Sequence, residues 1–187
     1  MGSYAFPMTQ LIKRIFQSLC FCLLFGSVAA ETISGKVIGV ADGDTVTVLD
    51  ATKTQHKIRL SGIDAPEKEQ PFGQRSKENL SRLVFGKQVS VDATKTDRYG
   101  RVIGTVIVGD IDANFEQVRA GLAWHYKKYE REQSAEDRGD YARAETAARA
   151  SRVGLWRDAN QVAPWDWRGC RRGQAGSEGV DCGLSPR

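Results

Sequence analysis

The sequence predicts an α+β fold with a mainly β core, arranged as a five-stranded Greek-key barrel of OB type with three helices. Three observations carry this. Short apolar-patterned segments fill residues 32–108, one helical segment interrupts them after the third, and two further helical segments follow the last strand. At 187 residues and 20.6 kDa the chain holds one ordinary domain with short appendages. Hydrophobic residues make up 41% and charged residues 27%, a globular composition that excludes disordered and fibrous classes.

Residues 1–30 read as an export leader. Lys13 and Arg14 precede an apolar run from Ile15 to Phe25. That run is about 11 residues, short of the ~20 a spanning helix needs. Val28-Ala29-Ala30 then reads as a cleavage site before Glu31. Loss of Lys13 and Arg14 takes the formal charge from +4 to +2, and Cys20 and Cys22 leave with the leader. The mature protein is therefore expected to have no membrane segment and to be periplasmic or secreted. Its two remaining cysteines, Cys170 and Cys182, permit one disulfide in an oxidising compartment, worth ~3 kcal/mol for a short loop. Two free thiols on a frayed end are the alternative. Neither has a histidine beside it to make a catalytic thiol.

The elements follow in order. Ile33–Val40 and Thr45–Asp50 flank Ala41-Asp42-Gly43-Asp44, a hairpin turn composition. Gln55–Ser61 alternates, with Ile58 and Leu60 on one face and Arg59 on the other. Pro66 ends that run, because it has no N–H for a ladder. Phe72–Gly86 is expected to be helical, with Leu80, Leu83 and Val84 inward and Gly86 at the stop. Gln88–Asp92 and Val102–Val108 are further strands, separated by a polar loop over Thr94–Arg101. Asp112 is placed to cap a helix over Ala113–Ala123, with Phe115, Val118 and Leu122 on one stripe. The last helix runs from about Ser134 to Arg152, burying Tyr141, Ala144 and Ala148, and stops at Gly154. The domain is thus expected over 31–157 with a C-terminal tail over 158–187, in which Pro164-Trp165-Asp166-Trp167 precedes a Gly- and Arg-rich end expected to be loosely ordered. Trp165 and Trp167 are expected to pack that tail onto the domain, with a base-stacking surface as the alternative.

Three polar clusters interrupt this pattern: Asp42-Gly43-Asp44-Thr45, Arg59 through Glu67, and Asp97-Arg98-Tyr99-Gly100-Arg101. Each alone has a plain structural reading as a hairpin turn, a helix-entry loop or a salt-bridged turn. Together they offer the carboxylates Asp44, Asp64 and Glu67 beside Arg59 and Arg101. Hard oxygen donors without His or Cys point to Ca²⁺ or Mg²⁺ rather than zinc. An EF-hand fails, because Val46, Thr47 and Lys53 fall where its ligands or glycine belong. Guanidinium forks, a cation and a carboxylate for water are what a phosphoryl centre requires. His56 and His125 are read as ordinary strand and loop histidines, since no Gly-x-Ser-x-Gly nucleophile accompanies them.

From Ile33 to Trp156 the chain resembles the staphylococcal nuclease (thermonuclease) family. The matching motifs are Val40-Ala41-Asp42-Gly43-Asp44-Thr45, Ile58-Arg59-Leu60, Gly62-Ile63-Asp64-Ala65-Pro66-Glu67, Thr96-Asp97-Arg98-Tyr99-Gly100-Arg101, Asn114 to Ala123 and Gly154-Leu155-Trp156. The resemblance implies a Ca²⁺-dependent nuclease acting on DNA and RNA. It assigns the ion to Asp44, Asp64 and the Ala65 carbonyl, and phosphate and transition-state binding to Arg59 and Arg101. Glu67 becomes the group that activates or orients water, while Arg98 and Tyr99 contact the terminal phosphate or sugar. Arg98 stands where the family has Lys, which changes hydrogen-bond geometry but not charge. The family's later active-site tyrosine has no direct counterpart: Trp124-His125-Tyr126-Lys127-Lys128-Tyr129 departs from the pattern, and either Tyr126 or Tyr129 could serve.

With no recognition helix, finger motif or basic run, base-edge readout is not expected, and a single-stranded substrate is favoured. A monomer is expected. Two other classes are a non-catalytic OB-type nucleic-acid-binding module and an exported adhesion domain. The first would be expected to lack one of the five key carboxylates and arginines. The second leaves that set unexplained.

Overall fold

A computed structural model describes residues 1–2 and 31–171. All but the first two leader residues, and Cys182, lie outside the described residues. Strands β1 (Glu31–Val40), β2 (Thr45–Asp50) and β3 (Gln55–Leu60) form an antiparallel meander. The two-residue β4 (Ile63–Asp64) and helix α1 (Gly73–Val84) follow, then β5 (Gln88–Thr96) and β6 (Val102–Val108). β1 pairs with both β2 and β5, β5 pairs with β6, and a parallel β3–β6 ladder closes the barrel at Ile58–Val102, Arg59–Ile103 and Leu60–Gly104. Five long strands therefore make the expected closed barrel. Short β7 (Ile111–Asp112) and β8 (Trp124–His125) add to its margins.

Alternation along the strands fills the interior with Val37, Val46, Val48, Ile58, Leu60, Val91 and Val106. Leu80 and Val84 of α1 close one end, joined by Ala113 and Val118 of α2 (Ala113–Arg119). Asp112 caps α2 by accepting from the Asn114 and Phe115 N–H groups at 2.8 and 3.0 Å. α3 (Ala135–Ala150) is capped by Ser134 and buries Tyr141, Ala144 and Ala148, the expected face.

Two expectations are corrected. β5 continues to Thr96, so the polar loop is only 97–101. Thr94, Lys95 and Thr96 are polar because that strand end projects at the barrel mouth, where Lys95 and Thr96 pair with Ile103 and Val102 across a bulge. α2 stops at Arg119 rather than Ala123, because the chain turns through Gly121 at φ +65° and brings its carbonyl to Leu155 N–H at 2.8 Å. Within the tail, Pro164–Arg171 forms α4, with Pro164 at its start and Trp167 only 7% exposed, while the Gly- and Arg-rich end beyond Arg171 lies outside the described residues. Cys170 in α4 is disulfide-bonded. No helix among the described residues is long and apolar enough to cross a membrane.

Candidate active site

At the mouth of the barrel a cavity of about 1180 Å³ is lined by Asp42, Asp44, Arg59, Asp64, Glu67 and Arg101, with Arg98 and Tyr99 at its edge. The β1–β2 turn delivers the first two. Asp44 N–H donates to Asp42 Oδ1 at 3.1 Å, closing the turn locally. The turn is also held from behind: Gln117 Nε2 donates to the Gly43 carbonyl at 2.6 Å and to the Ser76 carbonyl at 3.0 Å. Gly43 is required there, because a Cβ would meet Ser76 Oγ at 1.9 Å. Backbone and side chain thus fix where the Asp44 carboxylate points.

Arg59 alternates outward from the core face of β3 and spans two carboxylates. Its Nη1 lies 2.5 Å from Asp44 Oδ2 and its Nη2 lies 2.7 Å from Asp64 Oδ1. Asp64 is fully buried, and β4 holds it by pairing with Trp124 of β8. The Ala65 N–H donates to Asp44 Oδ2 at 2.7 Å, so the main chain at Ala65 belongs to this cluster through its amide. Glu67 follows on the loop before α1, where its N–H donates to Gln70 Oε1 at 3.1 Å. Gly73 allows the helix to start against this loop, since a Cβ would meet the Glu67 carbonyl at 1.9 Å.

Electrostatics make the cluster a strained anion site. Burial pushes the Asp44 carboxyl up to about 8; Arg59 opposes this, while the Asp42 and Asp64 carboxylates add to it. Burial disfavours the Arg59 charge, but Asp44, Asp64 and Asp42 outweigh it and hold the guanidinium more firmly protonated.

The 97–101 loop supplies a separate cationic edge. Asp97 Oδ2 accepts from Arg101 Nε at 2.8 Å and faces Nη2 at 2.7 Å, while Oδ1 accepts from the Tyr99 and Arg101 N–H groups. Gly100 at φ +75° closes the turn. Arg98 and Arg101 lie over the Tyr99 ring at 5.0 and 5.7 Å, and Tyr99 is 69% exposed. Arg101, Arg98 and Tyr99 therefore face the same cavity as Arg59 without touching Asp44 or Asp64.

The far wall is aromatic. Tyr126 and Tyr129 both line the cavity with ring centroids 5.1 Å apart, and Trp165 of α4 lies parallel to Tyr126 at 5.3 Å and 9°. Of the two tail tryptophans, Trp167 packs and Trp165 reaches the cavity. Sequence reasoning missed Arg168. Its Nη2 lies 2.7 Å from Asp64 Oδ2, and its Nη1 lies 3.2 Å from Asp64 Oδ1 and 2.7 Å from Glu67 Oε1. His56 and His125 are structural, bonded to Asp50 Oδ2 and Gln133 Oε1 at 2.8 Å each.

The donor set fits a hard divalent cation. No cluster of three or more His, Cys, Asp or Glu side chains among the described residues is arranged to ligate a metal. Two carboxylates, Asp44 and Asp64, converge instead, leaving carbonyl, water and substrate oxygens to complete an oxygen shell. The raised Asp44 carboxyl is what such an ion would relieve, because a positive charge favours its ionised form.

A closed five-stranded barrel with carboxylates and arginines at its mouth defines a nuclease-type OB domain, and sequence comparison agrees. Residues 57–158 match the family described as staphylococcal nuclease homologue, and the chain belongs to that family. The matched segment holds Arg59, Asp64, Ala65, Glu67, Arg98, Tyr99 and Arg101; Asp44 precedes it and Arg168 follows it. The chain is 41% identical over 155 residues to Protein ParB of Escherichia coli, covering 78% of this chain and 85% of that protein. It is 41% identical over 161 residues to an uncharacterized endonuclease of Haemophilus influenzae, covering 84% and 87% respectively. Staphylococcal-like nuclease CAN1 of Arabidopsis thaliana is 39% identical over 117 residues, or 63% of this chain and 34% of that protein.

Proposed function

We propose that this staphylococcal-nuclease-like endonuclease is a calcium-dependent hydrolase of DNA and RNA phosphodiester bonds, with little base specificity and a preference for single strands. The observation that carries it is the pairing of buried Asp44 and Asp64 around Arg59 in one cavity, with Glu67 and Arg101 on its walls. Export of the mature chain and its action as a monomer belong to the same proposal.

Asp44 and Asp64 would hold the ion, which supplies Lewis-acid charge at the phosphate when bound. Arg59 and Arg101 donate to phosphate oxygens that gain charge as phosphorus becomes five-coordinate. Arg59 is pre-positioned by Asp44 and Asp64, and Arg101 by Asp97, so neither pays much ordering entropy on binding. Glu67 accepts a hydrogen bond from the attacking water and orients or activates it. Tyr99, Tyr126, Tyr129 and Trp165 offer ring faces that stack on any base, which favours strands whose bases are free.

The test is Glu67→Gln. It is expected to keep ion-dependent binding of a single-stranded oligonucleotide and to lose at least ~100-fold in turnover of denatured DNA. Turnover near the parent level would overturn the role of Glu67.

A further inference from the structure

Besides Arg59, Arg98 and Arg101, a fourth guanidinium lines the cavity, that of Arg168. Arg168 comes from α4, more than a hundred residues along the chain from the carboxylates it meets. Its placement is built rather than incidental. Gln70 Nε2 donates to the Val162 carbonyl at 2.6 Å, tying the segment before α4 to the loop that carries Glu67. Arg171 pairs with Glu69 on the same loop. Trp167 is buried, and Trp165 rests against Trp124 at 5.5 Å as well as along Tyr126.

Two of the arginines that line the cavity from a strand or loop are braced by carboxylates. Arg59 is held by Asp44 and Asp64, and Arg101 by Asp97. Arg168 repeats the arrangement with Asp64 and Glu67. It does not plug the site: about 1180 Å³ remains open with Arg168 on its lining, and its side chain is 32% exposed. A guanidinium has five N–H donors, and the bonds to Asp64 and Glu67 use three of its directions. The remaining N–H groups belong to the planar fork that suits a phosphate.

We propose that Arg168 is a substrate-binding residue of this site, a guanidinium brought by α4 to engage a phosphate of the bound strand, with Trp165 beside it offering a ring to the adjoining base. The proposal rests on the nuclease reading above. It makes α4 part of the binding surface rather than a tail.

The probe is a nucleoside 3′,5′-bisphosphate, which carries phosphates but no phosphodiester bond to cleave. Its affinity is measured by calorimetry in Ca²⁺ for the parent, Arg168→Ala and Arg168→Lys. KM and kcat on denatured DNA are measured in parallel. Tryptophan emission and thermal melting report whether α4 stays docked. Arg168→Ala is expected to weaken bisphosphate binding about tenfold or more and to raise KM more than it lowers kcat. Arg168→Lys is expected to recover part of the binding, since charge returns without the fork. Unchanged bisphosphate affinity in a folded Arg168→Ala would overturn the proposal. So would tighter binding with faster turnover, which would make Arg168 an internal competitor for the site. A folded parent that neither binds the bisphosphate nor cleaves DNA would instead defeat the nuclease reading on which the proposal stands.

Discussion

Arg59 Nη1 lies 2.5 Å from Asp44 Oδ2 while its Nη2 lies 2.7 Å from Asp64 Oδ1, so one guanidinium bridges two buried carboxyl groups. Removing it leaves two desolvated acids facing each other. Arg59→Ala is expected to cost about 3–5 kcal/mol, the range for breaking a buried pair from one side. Urea denaturation without added metal measures that loss. Millimolar Ca²⁺ is expected to recover part of it, because an ion on Asp44 and Asp64 replaces the missing charge. Arg59→Lys is expected to remain more stable than Arg59→Ala and yet turn over poorly, since the fork is lost. Equal stability of parent and Arg59→Ala would contradict this account of the cluster.

The turn that carries Asp44 rests on Gln117. Gln117→Leu leaves the Gly43 and Ser76 carbonyls without their shared donor and is expected to cost about 1–3 kcal/mol. Gly43→Ala drives a methyl into Ser76 and is expected to cost a similar about 1–3 kcal/mol. The double variant should lose less than the two singles together, because both loosen the same turn. Full additivity by chemical denaturation would show that the two residues act on separate features. Calcium titration of each variant is expected to show weakened binding.

Asp97 sets the acid limit of the cationic loop. Burial alone would raise its carboxyl, but the Arg101 backbone and side-chain bonds and the Tyr99 N–H outweigh burial and hold it below the usual carboxylate range. A group depressed in the folded state stabilises fully above its unfolded pKa and loses that contribution as pH falls through the folded value. The advantage of the parent over Asp97→Asn is therefore expected to be constant above about pH 5 and to vanish as pH falls below about 4. Stability curves from pH 2 to 7 measure it. An advantage that grows toward acid would contradict the bonding described. At neutral pH, Asp97→Asn is expected to reduce turnover about tenfold, because Arg101 is no longer held at the cavity.

Much of this molecule is legible in its sequence for local reasons. The barrel strands announce themselves by alternation, and Ile58, Arg59 and Leu60 show core and site faces in three residues. Asp64, Ala65 and Glu67 sit in one short segment, and Asp97 to Arg101 form one turn, so their convergence needs only the barrel to bring three segments together. β5 was harder to bound, because Lys95 and Thr96 are solvent-facing and carry no apolar signal although they hold ladder partners. Arg168 was illegible for a different reason. Its partner Asp64 is 104 residues away, and an eight-residue helix shows too few turns for periodicity to declare it. One signal was present. Trp165 and Arg168 stand three apart, which on a helix puts them on one face, with Trp167 turned toward the domain.

The central claim, metal-dependent hydrolysis at the Asp44–Asp64–Glu67 cavity, is tested most directly by acid-soluble nucleotide release. The purified protein is incubated with denatured DNA at neutral pH in Ca²⁺, in Mg²⁺ and in excess chelator. Release in Ca²⁺ that chelator abolishes is the predicted result. A folded protein that binds the DNA but releases no nucleotide with either ion would contradict it and favour a non-catalytic binding module.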